Sequence, residues 1–238
     1  KADPILFSLA GRDFHGNFSS HLKRSGVDLK VHVEKHGKTA NFSLTEDEKG
    51  KQIIQWSPNS YKDIHKLSLQ KTIGKENLRN ITIAIFSPGT ARSTLKHMQE
   101  FKKNAPKATV IFDPGQEIYN FSKKILEKCL RLCDIFIVNE IEYAEANKIS
   151  GKNPRKSFKE KIIIETRGEK GSIVFHNEKT TVISAVRPKR ILDLTGAGDA
   201  YRAGLVFGLW KGVSLTKACA LGARLASKNI ACVGCQKY

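Results

Sequence analysis

Short runs of β-branched and aliphatic residues alternate along this chain with longer amphipathic stretches, and this alternation constrains the fold more than any other feature. The short runs are nearly continuously apolar, which is typical of parallel strands covered on both faces. The alternation therefore predicts an α/β protein with a doubly wound, mostly parallel sheet flanked by helices. The predicted strands are 5–10, 81–87, 109–113, 134–139 and 161–166, and the predicted helices are 16–26, 91–105, 119–133 and 140–150.

Residues 27–58 depart from the alternation. They form three extended segments joined by polar turns at 36–38 and 47–50, with no helical pattern between the segments. The pattern predicts a small antiparallel meander, which is either a β-lid over a ligand cleft or an extension of a sheet edge. We expect one domain over residues 1–238, with the β-lid at about 27–58. Towards the end of the chain, we expect a hairpin at 171–186 and helices at 198–212 and 215–230.

The composition argues against membrane insertion, secretion and a zinc site. No apolar run approaches the ~20 residues that a bilayer-spanning helix needs, and the first residues lack the layout of a signal peptide. Five cysteines, all in the second half of the chain, do not suggest a disulfide framework, so we expect a reducing, cytoplasmic compartment. Cys232 and Cys235 form one CxxC, but zinc needs about four ligands and no second pair stands at a suitable spacing.

The chain is strongly basic, with 41 Lys and Arg against 23 Asp and Glu, a net charge of +18. Such a field attracts nucleic acid, acidic surfaces or phosphorylated ligands. The basic residues are scattered and do not alternate with aromatic residues, as they would on a surface that binds single strands. We therefore favour a solvated basic surface over a nucleic-acid site.

The strongest local signal is the run Asp193–Ala200, which follows an extended segment and opens a helical one. Small residues let a ligand approach the backbone, and the free amides at the start of a helix favour an anion. Asp199 stands at that start. From its position alone, it could cap the helix or take a proton from a hydroxyl that attacks phosphorus, and both interpretations stay open.

The sequence DLTGAGDAYRAGLVFGL resembles the signature of the ribokinase-like (PfkB) carbohydrate kinases, D-T-x-G-A-G-D-x-F/Y-x-x-G. The resemblance implies that three small residues form an anion hole, that the last aspartate is the catalytic base, and that the start of the motif contacts the nucleotide. By this resemblance, the anion hole is formed by Gly196, Ala197 and Gly198, and the catalytic base is Asp199. The nucleotide contacts are Asp193 and Thr195. Leu194 is a mild departure from the signature.

Two further motifs agree with the resemblance and stand in the right order. Asn139 and Glu142 match the family's N-x-x-E motif, which would organise Mg²⁺, its waters and the nucleotide phosphates. Otherwise, Asn139 caps a helix that has Glu142 at its third position. Thr166, Gly168 and Gly171 match a T-x-G-x-x-G turn under the phosphates, although this sequence alone would indicate an ordinary hairpin turn.

Weaker matches extend the resemblance over essentially the whole chain. Residues 113–115 resemble a D-P-N/G strand end near the cleft, and 11–13 with 26–28 resemble an early G-x-D…G-V-D stretch. The family places its β-lid where 27–58 falls. The lid residues that would cover the acceptor are Thr39, Ala40 and Phe42.

Within the family, residues 51–69 resemble the N-Q-x-x-x-F/Y-x-P-G-A-M…H…L segment of microbial adenosine and nucleoside kinases, although 59–61 replace its Gly-Ala-Met. Residues 233–236 resemble their closing G-C/T/P-Q. The resemblance therefore implies a nucleoside acceptor, ATP as donor and Mg²⁺. It leaves open a monovalent cation, a sugar acceptor such as ribose or fructose, and a homodimer through the lid edge.

Family members carry an N-terminal segment and a final helix that this sequence lacks, so we expect it to be incomplete at both ends. An alternative of another class is a non-catalytic kinase-like scaffold that binds protein or RNA, which the charge supports. The retention of Asp199, Asn139 and Glu142 argues against a scaffold. A dinucleotide-binding oxidoreductase is not supported, because no G-x-G-x-x-G follows the first strand.

Overall fold

The computed structural model describes residues 3–46 and 52–235. The predicted turn at 47–50 and Gln236 of the closing motif lie outside the described residues. The chain divides into two compact units. The first runs to Asn80 and includes Gln99–Ala105, and the second comprises Ile81–Met98 and the chain from Pro106 onward. No helix of the described ranges is long and apolar enough to cross a membrane.

The first unit contains two separate strand pairs. Strand β1 (Ile5–Gly11) pairs in parallel with β2 (Asp28–Glu34), and helix α1 (Asn17–Arg24) connects them. Strands β3 (Asn41–Glu46) and β4 (Gln52–Ser57) pair antiparallel. A 3₁₀ segment (Asn59–Lys66) and helices α2 (Leu69–Ile73) and α3 (Lys75–Asn80) follow.

The predicted meander over 27–58 is therefore wrong in its first third. Strand β2 belongs to a β–α–β unit with β1, with Ile5 opposite Asp28, and is not antiparallel to β3. A crossover through a helix returns the chain in the same direction, so the two strands it joins are parallel. Antiparallel pairing within this stretch is confined to β3 and β4.

The second unit is built on a six-stranded sheet in the order β10-β9-β8-β7-β6-β5. Its parallel strands are β5 (Ile83–Phe86), β6 (Thr109–Phe112), β7 (Ile135–Asn139) and β8 (Ile162–Thr166). The predicted hairpin, β9 (Ser172–His176) with β10 (Lys179–Ile183), joins it antiparallel. The remaining α-helices are α4 (Ala91–Asn104), α5 (Lys123–Leu132), α6 (Glu140–Ser150), α7 (Pro154–Ser157), α8 (Ala197–Trp210) and α9 (Leu215–Asn229). The residues of α4 are divided between the two units.

This architecture confirms the predicted class, an α/β fold with a mostly parallel central sheet, helices and a small antiparallel pair. The apolar run of β7 is buried from Ile135 to Val138, as expected for a strand covered on both faces. Side chains of β6–β10 pack against α8 and α9 in one hydrophobic core. Its members are Ile111, Ile135, Ile137, Ile164, Val174, Ile183, Tyr201, Leu205, Ala218, Cys219 and Ala223.

Two contacts fix the position of α8. At Gly204 the helix lies directly against α9, since a Cβ there would come within 2.7 Å of the Gly222 Cα. The buried hydroxyls of Tyr201 on α8 and Ser172 on β9 are 2.8 Å apart and hydrogen-bonded. Close backbone packing and a buried polar contact together leave α8 little freedom to shift. The start of α8 is thus held firmly on the sheet.

Candidate active site

The first turn of α8 carries the Gly-Ala-Gly-Asp motif. Gly196 is the residue before the helix, with a φ of 76°, and it makes no side-chain cap. The Ala197 amide bonds to the Leu194 carbonyl, and the Ala200 amide bonds to the Gly196 carbonyl. The amides of Gly198 and Asp199 have no hydrogen-bond partner among the described residues. Free amides at the positive end of a 14-residue helix are suited to bind an anion.

Asp199 is the third residue of α8 and is exposed. Gly196 occupies the capping position, so the interpretation of Asp199 as the helix cap is wrong. Its carboxylate makes no hydrogen bond or ion pair with any residue that the structure describes. A free carboxylate beside two free amides can accept a proton while the amides bind an anion.

The loop before α8 is held by its own Asp193 and by residues at and beyond the end of α9. Asp193 accepts hydrogen bonds from the amides of Thr195 at 2.8 Å and Gly234 at 2.9 Å. Hydrogen bonds from the side chain and amide of Thr195, and then from Gly234, lower the pKa of Asp193. The Asn229 side chain donates to the Thr195 carbonyl at 2.7 Å, and the Cys235 thiol approaches the same oxygen at 3.5 Å. Predicted as nucleotide contacts, Asp193 and Thr195 thus also shape the loop.

A buried ion pair joins helix α8 to the end of strand β6. The Arg202 guanidinium donates to Asp113 Oδ1 from Nη2 at 2.8 Å, and its Nε pairs with Asp113 Oδ2. The guanidinium also lies against Gly198, where a Cβ would come within 2.5 Å of Nη1. Burial raises the pKa of Asp113 to about 6, and the charge of Arg202 opposes this rise, so the carboxylate is ionised at neutral pH. The pair therefore packs against the first turn of α8 at Gly198.

We expect Asp113→Asn to destabilise the second unit by about 2 kcal/mol, because it leaves the Arg202 charge buried without a carboxylate. Chemical unfolding in urea would measure the change. The control is Glu160→Gln, which removes an exposed carboxylate of the same unit and should change stability by less than ~0.5 kcal/mol. Equal stability of the two variants would show that the ion pair adds nothing to folding.

Asn139 and Glu142 form a capping box at the start of α6. The Asn139 side chain accepts from the Glu142 amide, and Glu142 Oε2 accepts from the Asn139 amide, both at 2.8 Å. The helix-cap interpretation of these residues is therefore confirmed. It does not use all of their polar atoms, because Glu142 Oε1 and the Asn139 Nδ2 have no partner within the described part of the chain. Those two atoms remain for a ligand.

The turn after β8 places the third motif beside Asn139. Thr166 lies opposite Asn139 in the β7–β8 register, and its hydroxyl donates to the Val138 carbonyl at 3.4 Å. The turn closes through the Arg167 amide and the Gly171 carbonyl at 2.7 Å, and through the Gly171 amide and the Gly168 carbonyl. Carboxyl ends of neighbouring parallel strands meet at one edge, where α/β proteins bind ligands. Asn139 and the Thr166–Gly171 turn thus share that edge.

An ion-pair network that the sequence did not reveal lies under this turn. Glu165 is buried and pairs with Arg167 through Nε at 2.7 Å and with Arg155 through Nη2. Arg155 also stacks on Phe175, with its guanidinium carbon 3.4 Å from the ring centroid. Arg167 makes a longer contact of 3.8 Å with Glu140. Both arginines therefore pair with an acidic side chain, and Arg167 is not a free cation in the turn.

The predicted substrate residues lie in the first unit. The Thr39 amide and hydroxyl both donate to Asp13 Oδ1 at 2.7 Å, and these hydrogen bonds lower the pKa of Asp13. The Thr39 hydroxyl also accepts from the Gly11 amide at 3.1 Å. Ala40 follows, half-buried, and Phe42 on β3 is 58% exposed. The structure brings Thr39 together with the Gly11–Asp13 stretch that the sequence also singled out.

Known proteins resemble this chain over most of its length. The model of the pfkB family of carbohydrate kinases matches residues 2–238. The nucleoside kinase of Methanocaldococcus jannaschii is 27% identical over 238 residues, spanning 97% of this chain and 74% of that protein. The nucleoside kinase of Burkholderia thailandensis has been solved with inosine, and that structure has a TM-score of 0.88 and 26% identity over 100% of this chain and 76% of its own. Its complex with ADP and inosine has a TM-score of 0.87 and 26% identity, covering 100% of this chain and 72% of that one.

A family match over nearly the whole length settles the class. The chain belongs to the pfkB family of carbohydrate kinases. The predicted resemblance is therefore confirmed, and so is the assignment as a phosphotransferase of the ribokinase-like fold.

Proposed function

We propose that this kinase transfers the γ-phosphoryl group of ATP to the hydroxymethyl group of a nucleoside of the adenosine or inosine kind. The observation that carries the proposal is the free, exposed carboxylate of Asp199 next to the free amides of α8. Two of the similar proteins described above are nucleoside kinases, and one was solved with inosine and with ADP and inosine. These ligands support both the acceptor and the donor.

In this mechanism, Asp199 takes the proton of the acceptor hydroxyl, and the hydroxyl oxygen forms a bond to the γ-phosphorus. The bond from that phosphorus to the bridging oxygen breaks, and ADP leaves with the electron pair. The amides of Gly198 and Asp199 donate hydrogen bonds to the oxygens of the transferred group, where charge develops. Gly196 and Ala197 keep this turn open to the ligand, and Thr166, Gly168 and Gly171 line the donor phosphates.

Asn139 and Glu142 are the residues that we propose to hold Mg²⁺, mainly through its waters. Glu142 Oε1 is not used by the capping box, and an oxygen donor is what this cation prefers. Within the described ranges no cluster of three or more His, Cys, Asp or Glu side chains could hold a metal. A single carboxylate still fits Mg²⁺, which keeps several waters and binds phosphate oxygens. When bound, the ion would neutralise charge on the phosphates.

We expect Glu142→Gln to raise the Mg²⁺ concentration for half-maximal activity about tenfold, because the change removes the charge but keeps an oxygen for the cap. Titration of activity with MgCl₂ at saturating ATP would measure the shift. Glu140→Gln is the matched control, since Glu140 is also acidic, lies in the same first turn of α6 and is exposed. A similar shift in both variants would assign the effect to general charge and not to Glu142.

The test of the proposed acceptor is ADP release with ATP and Mg²⁺ over a panel of nucleosides and sugars, each with and without K⁺. Turnover with inosine or adenosine supports the proposal, and a response to K⁺ would support a monovalent-cation requirement. Turnover confined to ribose or fructose would instead establish the sugar-kinase alternative, which is consistent with a family of carbohydrate kinases.

We also propose roles for the first unit. Thr39, Ala40 and Phe42 would cover the acceptor and exclude water on closure.

Phe42 stands opposite Trp56 in the β3–β4 register, and these side chains belong to residues that are 58% and 44% exposed. An exposed aromatic pair on a two-stranded sheet favours a homodimer through this lid, which light scattering would test. A nucleic-acid partner is not part of the proposal. A reducing, cytoplasmic compartment is part of it, on the ground of the cysteine usage in the sequence.

A further inference from the structure

The CxxC near the end of the described chain lies against the anion-binding loop. The thiol of Cys235 is 3.5 Å from the Thr195 carbonyl. A Cβ on Gly196 would come within 2.5 Å of the same sulfur and 3.3 Å of the Cys235 Cβ. Between the two cysteines, the Gly234 amide bonds to Asp193. The segment 232–235 therefore supplies two of the contacts that hold the loop before α8.

Accessibility separates these two thiols from the other three. Cys129, Cys133 and Cys219 are buried, whereas Cys235 is exposed and Cys232 is half-buried. Burial raises the pKa of Cys129 and of Cys133 to about 12 and also raises that of Cys219. Thiols that stay protonated and buried react slowly with oxidants. The chain thus exposes one pair of cysteines, at the spacing of thiol–disulfide motifs and in a bend of the backbone.

We infer that Cys232 and Cys235 form a reversible disulfide that disturbs the anion-binding loop and lowers kinase activity, an inference that rests on the proposed function. The oxidant is a small disulfide such as oxidised glutathione. The Cys235 thiolate attacks one of its sulfurs, forms a mixed disulfide and releases one glutathione. The Cys232 thiolate then attacks the Cys235 sulfur and releases the second glutathione. Two protons leave the thiols, and two electrons pass to the oxidant.

The effect on the loop follows from the chemistry of the sulfur. A disulfide sulfur carries no hydrogen, so Cys235 loses its hydrogen bond to the Thr195 carbonyl. The new bond also requires an S–S distance near ~2.05 Å, and because both thiols are free in the structure, the segment 232–235 must shift to form it. Gly234 lies between the two cysteines in the sequence, so the same shift would weaken the hydrogen bond from its amide to Asp193. The free amides of α8 would then lose their alignment with the phosphoryl group.

The test treats the full chain with oxidised glutathione and follows three quantities: the free thiols with peptide mapping, the Kd for ATP, and kcat with inosine. We expect loss of two thiols, a Cys232–Cys235 cross-link, and a fall in kcat of about tenfold that a dithiol reductant reverses. Before oxidation, Cys232→Ser should have the kcat of the parent chain in its dithiol form. After oxidation, it should stop at a mixed disulfide on Cys235. Absence of the cross-link, a cross-link at Cys129 or Cys133, or a cross-link that changes neither Kd nor kcat would overturn the inference.

The same experiment distinguishes failure of this inference from failure of the proposed function. Peptide mapping and ATP binding do not require turnover. A chain that forms the cross-link and weakens its ATP binding, yet phosphorylates no nucleoside when reduced, would retain the thiol switch and refute the nucleoside assignment. A chain that phosphorylates a nucleoside equally well when reduced and when cross-linked would refute the thiol switch and retain the nucleoside assignment.

Discussion

Replacement of Asp199 by asparagine is expected to lower kcat about 10²–10⁴-fold, because the general base is lost while the shape of the turn is kept. The side chain is exposed and has no partner in the described structure, so its removal should hardly change folding. The helix loses only an acidic group in its first turn, which is worth about 0.3–1 kcal/mol. Steady-state kinetics with ATP and inosine, together with urea unfolding, would measure both effects.

Two controls sharpen this result. Glu160→Gln removes an exposed carboxylate elsewhere in the second unit and should keep kcat. The Kd for ATP of the Asp199→Asn variant should stay near that of the parent chain, because the free amides remain. A variant that retains parental kcat would show that Asp199 is not the base, even if nucleoside phosphorylation itself were confirmed.

Gly196→Ala is expected to reduce kcat by about 10²-fold, since it displaces the amides that stabilise the transferred group. Gly196 has a φ of 76°, and an added Cβ would come within 2.5 Å of the Cys235 sulfur. Gly212→Ala is the matched control, because Gly212 has a φ of 72° but nothing within 4 Å of an added Cβ. Each variant should lose about 1–3 kcal/mol from the strained backbone. Only the first should lose activity.

A double variant separates the crowding from the backbone strain. Adding Cys235→Ala to Gly196→Ala removes the crowding but leaves the backbone strain, and it should restore kcat only in part because the Cys235 hydrogen bond to Thr195 is also lost. Equal kcat in Gly196→Ala and Gly212→Ala would contradict the role of the Gly196 turn. Both variants can be compared by kinetics and urea unfolding of the same preparations.

The sequence pattern was sufficient for the strands and the long helices of the second unit, although the helix predicted at 119–133 begins only at Lys123, but it was not sufficient for the pairing in the first unit. The run 134–139 is continuously apolar, and it became the buried strand β7. The partner of β1 was not readable, because strand pairing depends on contacts that a local pattern does not encode. The helical pattern at 16–26 was the missed signal, since a helix between two strands implies a parallel pair. The strand order of the sheet was likewise beyond the local pattern.

For the site, the motifs located the residues and the structure supplied their supports. Small residues followed by a helical run were enough to place the free amides beside Asp199. The Arg202–Asp113 pair joins residues 89 positions apart, so no spacing could reveal it. One signal was available, an arginine in the otherwise apolar run of α8. No sequence signal indicated the contact of Asn229 with Thr195, since an asparagine at a helix end usually indicates only a cap.

The most direct test of the central claim is transfer of label from γ-labelled ATP to inosine, with the product identified by nuclear magnetic resonance. We predict a nucleoside 5′-monophosphate that carries the label, formed by the parent chain and not by Asp199→Asn. Label on a sugar hydroxyl, with no nucleoside product, would contradict the nucleoside assignment. ATP binding without transfer to any acceptor would contradict catalysis itself and favour the kinase-like scaffold.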